Sequence, residues 1–300
     1  EKMHVDQLDI NEPMERRLLA EQFPHWADLS LTRVKSAGTE NAIYRLGDDL
    51  AIRLPYRSVN STQVDKEHRW LPLLSPHLPL SIPVPVAKGE PAEGYPSQWS
   101  VCRWLLGENA TLDRLADPSQ AAKDLAKFIH TLQQIDSTGG PVPGDHNFFR
   151  GIPLADRDRY TRAAIAESAG LVDSNAVTAA WERDLQAPVW GEPPVWIHGD
   201  LAPSNLLALS GRLSGVIDWG GLAVGDPATD LLPAWNLFQR KSRGTFRAEI
   251  DVDDATWARG RGLALSISLV ALPYYLETNS VIVRWARHMI DEVLEDHERG

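Results

Sequence analysis

The residues whose types and spacing suit chemistry lie in one stretch, VWIHGDLAPSNLLALSGRLSGVIDW, residues 195–219. An apolar run, Val195 to Ile197, leads into His198, Gly199 and Asp200. Asn205 follows five residues after Asp200, and a second apolar run ends on Asp218. Phosphoryl transfer needs a carboxylate to receive or orient a hydroxyl proton, and oxygen ligands to hold a divalent cation against phosphates. A strand-loop-strand hairpin supplies all three groups at one edge. The competing reading is two ordinary polar turns, since Asp and Asn are favoured in turns for their backbone hydrogen bonds.

Such groups act only if other elements hold them. A short amphipathic helix, Met14 to Gln22, precedes three β-rich runs, Leu31 to Ser36, Ala42 to Gly47 and Leu50 to Tyr56, the last two joined by a GDD hairpin turn. Ser61 to Leu74 has helical spacing with Glu67 in its middle, and strand-like pieces follow near Val84 to Lys88 and Gln98 to Leu106. Residues 1–106 are therefore expected to form a small sheet-plus-helix lobe, and residues 107–300 a larger, mostly helical one. In the second lobe the patterns predict helices over Ser119 to Ile135, at least two between Leu154 and Gln186, and two long ones, Asp254 to Glu277 and Val281 to Glu298.

The HxDxxxxN spacing with an aspartate after the next apolar strand is that of the catalytic loop and metal-binding motif of kinase-like folds. HGDLAPSNLL followed by VIDWGGLAVGDPATDL resembles the aminoglycoside phosphotransferase family, the antibiotic and small-metabolite kinases related to protein kinases. The resemblance implies an α+β, protein-kinase-like two-lobe fold with a small β-rich N-lobe and a larger helical C-lobe. It makes Asp200 the catalytic carboxylate, Asn205 and Asp218 the ligands of Mg2+, and His198 a support of the loop. Gly199 stands where many regulated protein kinases carry an arginine that grips a phosphorylated loop, so that control is not expected. Asp226 and Asp230 read as structural, Asp226 as a helix N-cap with Pro227 at the first helical position.

The first lobe then has to hold the nucleotide, ATP or GTP. SAGTEN, residues 36–41, offers Ser36, Gly38, Thr39 and Asn41 as a small polar turn whose backbone amides would cover phosphates; a plain hairpin turn is the alternative. Arg53 in AIRLP stands where the VAIK motif has lysine, and Glu67 lies fourteen residues on as its expected ion-pair partner. Otherwise Arg53 faces solvent and Glu67 pairs with Lys66 or Arg69. Arg103, Trp104 and Leu105 would form the hinge whose backbone meets the base, while the side chains of Trp104 and Cys102 read as core.

The helical stretch of about sixty residues ahead of His198 argues against a protein substrate. The resemblance points to a hydroxyl of an antibiotic, an aminoglycoside or a macrolide, with a metabolite acceptor of choline, homoserine, thioribose or sugar-amine type as the alternative. Acidic side chains for a cationic acceptor exist at Asp156, Asp158 and Glu167 and along Asp291 to Glu298, though most read as solvated faces. A nucleotide-binding pseudokinase is the rival from another class. A two-metal hydrolase would want clustered histidines, and the nine histidines are scattered.

A formal charge of −11, from 41 acidic against 30 basic residues, discounts nucleic-acid and anionic-membrane partners. A single cysteine, Cys102, excludes an internal disulfide and fits a reducing compartment. The opening EKMHVDQLDI lacks the apolar core of a secretory signal, so a cytoplasmic location is expected. The apolar run from Gly262 to Leu276 is short of the roughly 20 residues of a membrane helix and reads as buried. Most of the eleven tryptophans also read as core.

Overall fold

The computed structural model describes residues 8–34, 40–57 and 61–299. The first helix, α1 (Glu12–Gln22), starts where Asn11 accepts a hydrogen bond from the Met14 N–H and Pro13 occupies the first turn. It buries Met14, Leu18 and Leu19 in the same core as Leu31, Tyr44, Leu46 and Ile52 of a five-stranded sheet. The strands are β1 (Leu31–Arg33), β2 (Asn41–Leu46), β3 (Leu50–Pro55), β4 (Pro85–Gly89) and β5 (Trp99–Arg103), after α2 (Ser61–Leu74) has intervened between the third and fourth. Their order is β1-β2-β3-β5-β4, antiparallel throughout. Alternation along β2 puts Ala42, Tyr44 and Leu46 inside, and Gly47 at φ +58° makes the turn into β3.

Glu15 is buried beside Tyr44 and Arg33, and burial raises its carboxyl to about 9, against the pull of Arg33. A carboxyl whose folded pKa exceeds its unfolded value favours the native state most below the unfolded pKa, and that contribution is lost as pH rises through the folded one. Stability is thus expected to fall between about pH 4.5 and about 9. Glu15→Gln flattens that fall, read by thermal melts at about pH 5 and about pH 8.

The described residues up to Glu108, together with Ser214–Gly220, form one compact unit; Asn109–Leu213 with Gly221 onward form the second. The later segment is tied into the first unit through Ser81, whose N–H donates to Ser214 O and whose carbonyl accepts from Val216 N–H, at 3.2 and 2.9 Å.

After the two-residue strand β6 (Glu108–Asn109), the second unit is mainly helical: α3 (Pro118–Gln134), α4 (Asp158–Glu167) and α5 (Ser174–Leu185) come first. Asp117 and Asp173 cap α3 and α5. The island follows as β7 (Val195–Ile197), β8 (Leu206–Leu209), β9 (Arg212–Val216) and β10 (Ala223–Gly225), with β7 and β10 antiparallel and the division between units running through β9. Then come α6 (Pro233–Asn236), α7 (Arg240–Ile250), α8 (Asp254–Tyr275) and α9 (Ser280–Arg299). The chain is an α+β fold with an antiparallel-sheet unit and a helical unit.

The apolar run in α8 is a buried helix, and among the described residues no helix is long and apolar enough to cross a membrane. Trp181, Trp196, Trp235 and Trp257 are core residues. Sequence patterning misses α7: its chain, RKSRGTFRAEI, is rich in charge, contains Gly244, and buries only Phe246 and Ile250 as large apolar groups.

A network of buried charges ties the last helices together. Arg243 pairs with Glu292 and Asp296, and Arg261 pairs with Asp184 and Asp296 at 2.8 and 3.3 Å. His297 Nε2 lies 3.0 Å from Asp184. Trp235 and Trp257 both donate to Asp296. Glu292 and Asp296, which the sequence offered among candidate binders of a cationic substrate, are therefore engaged in holding helices together.

Candidate active site

In the first unit the site is built around Arg53. On β3 it stands opposite Ile43 of β2 and Ser100 of β5, which turns its side chain toward α2. There its Nη1 donates to Glu67 Oε2 at 2.7 Å, and Nη2 lies 3.5 Å from Asp218 Oδ1. Arg53 and Glu67 have only 11% and 6% of their side chains exposed, whereas Asp218 has 38%, so the pair is internal and the second carboxylate faces outward. Burial works against the Arg53 charge, but Glu67 and Asp218 outweigh it and raise its pKa above the ordinary arginine value. The arginine is locked in the charged form. The alternative, Glu67 paired with Lys66 or Arg69, is not what the fold adopts.

Asp218 sits at φ +61°, a left-handed conformation uncommon for a residue with a side chain. What holds it there is α2: Lys66 Nζ donates to Gly220 O at 2.6 Å, and a Cβ at Gly220 would meet the buried Gln63 amide at 2.6 Å. Burial lowers the Lys66 ammonium to about 8, with Glu67 and Asp218 opposing. Asn41, at the start of β2, lines the same cleft as Arg53, Gln63, Glu67 and Ser100. Ser36, Gly38 and Thr39 lie outside the described residues. At the expected hinge, the N–H groups of Arg103 and Trp104 already donate to Val84 O and Asp49 O, at 3.0 and 2.8 Å. The N–H of Leu105 has no backbone partner among the described residues.

In the second unit β7 delivers the loop that carries Asp200. Asp230, fully buried, accepts the N–H groups of His198 and Gly199 at 2.7 and 2.9 Å. Burial raises the Asp230 carboxyl, while His198 and those two N–H groups pull the other way. The reading of Asp230 as structural thus acquires a purpose: it clamps the loop just ahead of Asp200. His198 Nδ1 accepts the Asp200 N–H at 3.2 Å, and Asn236 Nδ2 donates to Leu201 O at 2.8 Å. Asp226 caps the turn that follows β10 and is paired with Arg259 at 2.7 Å.

Asn205 is buried, and its Nδ2 donates to both the main-chain oxygen and the carboxylate of Asp200, each at 2.9 Å. The amide oxygen accepts from Ser204 Oγ at 3.4 Å and, with two lone pairs, retains capacity for a cation or a second donor. Gly199 lies at φ +86°, and a Cβ there would come within 2.4 Å of Gly221 O. Gly199→Ala is expected to displace the loop and cut turnover by about 100-fold, measured as kcat alongside a melting curve that shows the chain still folds.

Arg150 and Arg157 are functional candidates that the sequence reading passed over. Asp200 and Arg150 are near enough to interact electrostatically, Asp200 opposing the fall that burial imposes on the Arg150 pKa. The segment HNFFRG had no motif to mark it, though two adjacent aromatics followed by arginine in a predicted loop were the available signal.

The profile of the phosphotransferase enzyme family matches residues 31–263. The chain is 26% identical over 172 residues to the uncharacterized protein YcbJ of Bacillus subtilis (strain 168), covering 55% of this chain and about half, 52%, of that relative's length. Among solved structures it superposes on the GDP complex of wild-type aminoglycoside 2'-phosphotransferase-IIIa with a TM-score of 0.75 and 20% identity, over 96% of this chain and all of that one. It also superposes on the macrolide 2'-phosphotransferase MphH from Brachybacterium faecium with a TM-score of 0.62 and 22% identity, over 94% and 98% of the two chains. These structures share its fold, which is thus that of the protein-kinase-like phosphotransferases. With its profile matched over most of its length, the chain belongs to the phosphotransferase enzyme family.

Proposed function

We propose that this chain is a small-molecule kinase that transfers the terminal phosphoryl group of ATP or GTP to a hydroxyl. The observation that carries the reading is the coupling of Asn205 to Asp200: one amide fixes the carboxylate, and its oxygen, which accepts from Ser204, keeps a second lone pair for a cation. Asp200 orients the acceptor hydroxyl and takes its proton as the oxygen attacks phosphorus. Arg53, held by Glu67 and permanently charged, grips the phosphates and stabilises the negative charge that builds on the leaving diphosphate.

The residues fit a magnesium ion by their chemistry, since Asn205 and Asp218 offer hard oxygen atoms. Among the described residues no three His, Cys, Asp or Glu side chains form a metal cage, which agrees with an ion held by few protein ligands together with phosphates and water. When bound, magnesium would neutralise phosphate charge.

The family's solved relatives are named for aminoglycosides and macrolides, and both classes are candidate acceptors here, with small hydroxylated metabolites as the alternative. A single buried cysteine agrees with action in the cytoplasm. The pseudokinase reading leaves the Asp200–Asn205 coupling without a use.

The test is a coupled assay of nucleoside-diphosphate release with magnesium and ATP or GTP over aminoglycosides, macrolides and hydroxylated metabolites. Acceptor-dependent release with a phosphorylated product supports the reading. Nucleotide binding with Asp200→Asn as active as the natural chain sinks it.

A further inference from the structure

The second unit carries two arginines, Arg150 and Arg157, on the Asp200 side of the fold, with no ion pair to either among the described residues. Arg150 ends the segment HNFFRG, and the glycine after it is packed against the root of the catalytic loop: a Cβ at Gly151 would meet Ile197 at 2.7 Å and the Gly225 backbone at 3.2 Å. Gly151 O also accepts the Asp226 N–H at 3.1 Å. Asn147, fully buried, fixes the segment from within, accepting the Gly144 N–H at 2.9 Å and donating to Arg150 O at 2.8 Å. The loop is thus built and fixed beside Ile197, three residues before Asp200.

Arg157, in the turn ahead of α4, is anchored by its Nε to Ser266 Oγ of α8 at 2.9 Å, and Ser266 is held in turn by Thr161 at 2.7 Å. That leaves both terminal nitrogens of its guanidinium without a hydrogen bond among the described residues, and neither arginine has an ion pair among them. Arg157 is half-buried, and burial and then the like charge of Arg150 push it down to about 10. Arg150 has Asp200 as its carboxylate neighbour and Arg157 has none among the described residues, so two like charges share one acid, and an anionic ligand relieves that cost.

Between Asn147 and Arg150, Phe148 and Phe149 both take left-handed backbone angles, φ 57° and 55°, and stand 57% and 47% exposed. Strained backbone with exposed aromatic rings is a pattern of ligand-contacting loops. Three of the acidic side chains that would suit a cationic acceptor are occupied elsewhere: Asp158 holds Trp181 and Arg162, and Glu292 and Asp296 belong to the helix-binding network.

We infer that the acceptor phosphorylated at Asp200 is an anion, its carboxylate or phosphate group received by Arg150 and Arg157 with Phe148 and Phe149 against its body. This rests on the kinase reading for the word acceptor, whereas binding of an anion needs no phosphoryl transfer. A polycationic aminoglycoside is the poorest fit to it.

The test is calorimetric titration of the full chain with its nucleotide site filled by magnesium and a nucleoside diphosphate. Probes are a hydroxylated carboxylate (glycerate), a phosphate monoester (glycerol 3-phosphate), inorganic phosphate, a neutral polyol (glycerol) and kanamycin. Saturable binding of the carboxylate or the phosphate arm, weakened at least about tenfold by Arg157→Gln and partly kept by Arg157→Lys, supports the site, and the stronger arm names the group. Melting curves establish that both variants fold. Binding of no anion, anion binding indifferent to both variants, or kanamycin bound in preference overturns it. Because no phosphoryl transfer is needed for this readout, a failed kinase assay and a failed anion site are told apart.

Discussion

Asp200→Asn abolishes turnover and leaves magnesium-nucleotide binding intact. The substituted amide has the shape of the carboxylate and keeps an oxygen that accepts from Asn205 Nδ2, so the loop held by Asp230, His198 and Asn236 is undisturbed. What is lost is the ability to take a proton from the acceptor hydroxyl. A positioned base contributes about 10²–10⁴-fold, and kcat is expected to fall by about 10³-fold, with nucleotide affinity changed by less than about twofold. Single-turnover rates and calorimetric titration with a nucleotide analogue check the two halves separately. A variant with natural kcat removes Asp200 from the chemistry.

The second large effect is at Arg53. Removing the arginine leaves Glu67, only 6% exposed, as a charge without its partner, and breaking a buried pair from one side costs about 3–5 kcal/mol. Arg53→Met is expected to lose about that much stability in denaturant melts. Arg53→Met with Glu67→Leu removes both charges, and most of the stability returns. Turnover does not return, because no cation then grips the phosphates. A double variant that regains activity along with stability would show that the pair serves the fold alone.

The geometry of the candidate site was legible in the sequence where it is local. His198 to Asn205 forms one loop, and the order of groups along it survives folding because few residues separate them. Asp218 was legible from the apolar strand before it, and the pairing of Arg53 with Glu67 from motif order on β3 and α2. The element boundaries came close for α2 and α3: apolar spacing marks both helices, and Asp117 with Pro118 marks the start of α3.

The rest depends on contacts that spacing does not encode. Asp230 reaches back to His198 and Gly199 across about thirty residues, and nothing in GDPATDL announces which backbone N–H groups it accepts. Lys66 was readable only as a surface neighbour of Glu67, yet it holds Gly220 in place next to Asp218. Arg150 and Arg157 look like ordinary loop and helix-start arginines until Gly151 is seen packed against Ile197 and Arg157 fixed on Ser266. The C-terminal acids looked like a solvated face, but Glu292 and Asp296 meet Arg243 and Arg261 from other helices.

Water can stand in for an unknown acceptor, so the central claim can be measured without knowing the substrate. Slow release of diphosphate from ATP or GTP by the natural chain, with magnesium and without acceptor, is compared with Asp200→Asn and Asp218→Asn. The account predicts release that requires magnesium, is lost in Asp200→Asn with nucleotide still bound, and is lost in Asp218→Asn together with magnesium-dependent binding. Release that persists in both variants, or nucleotide binding indifferent to magnesium and to Asp218, would contradict it.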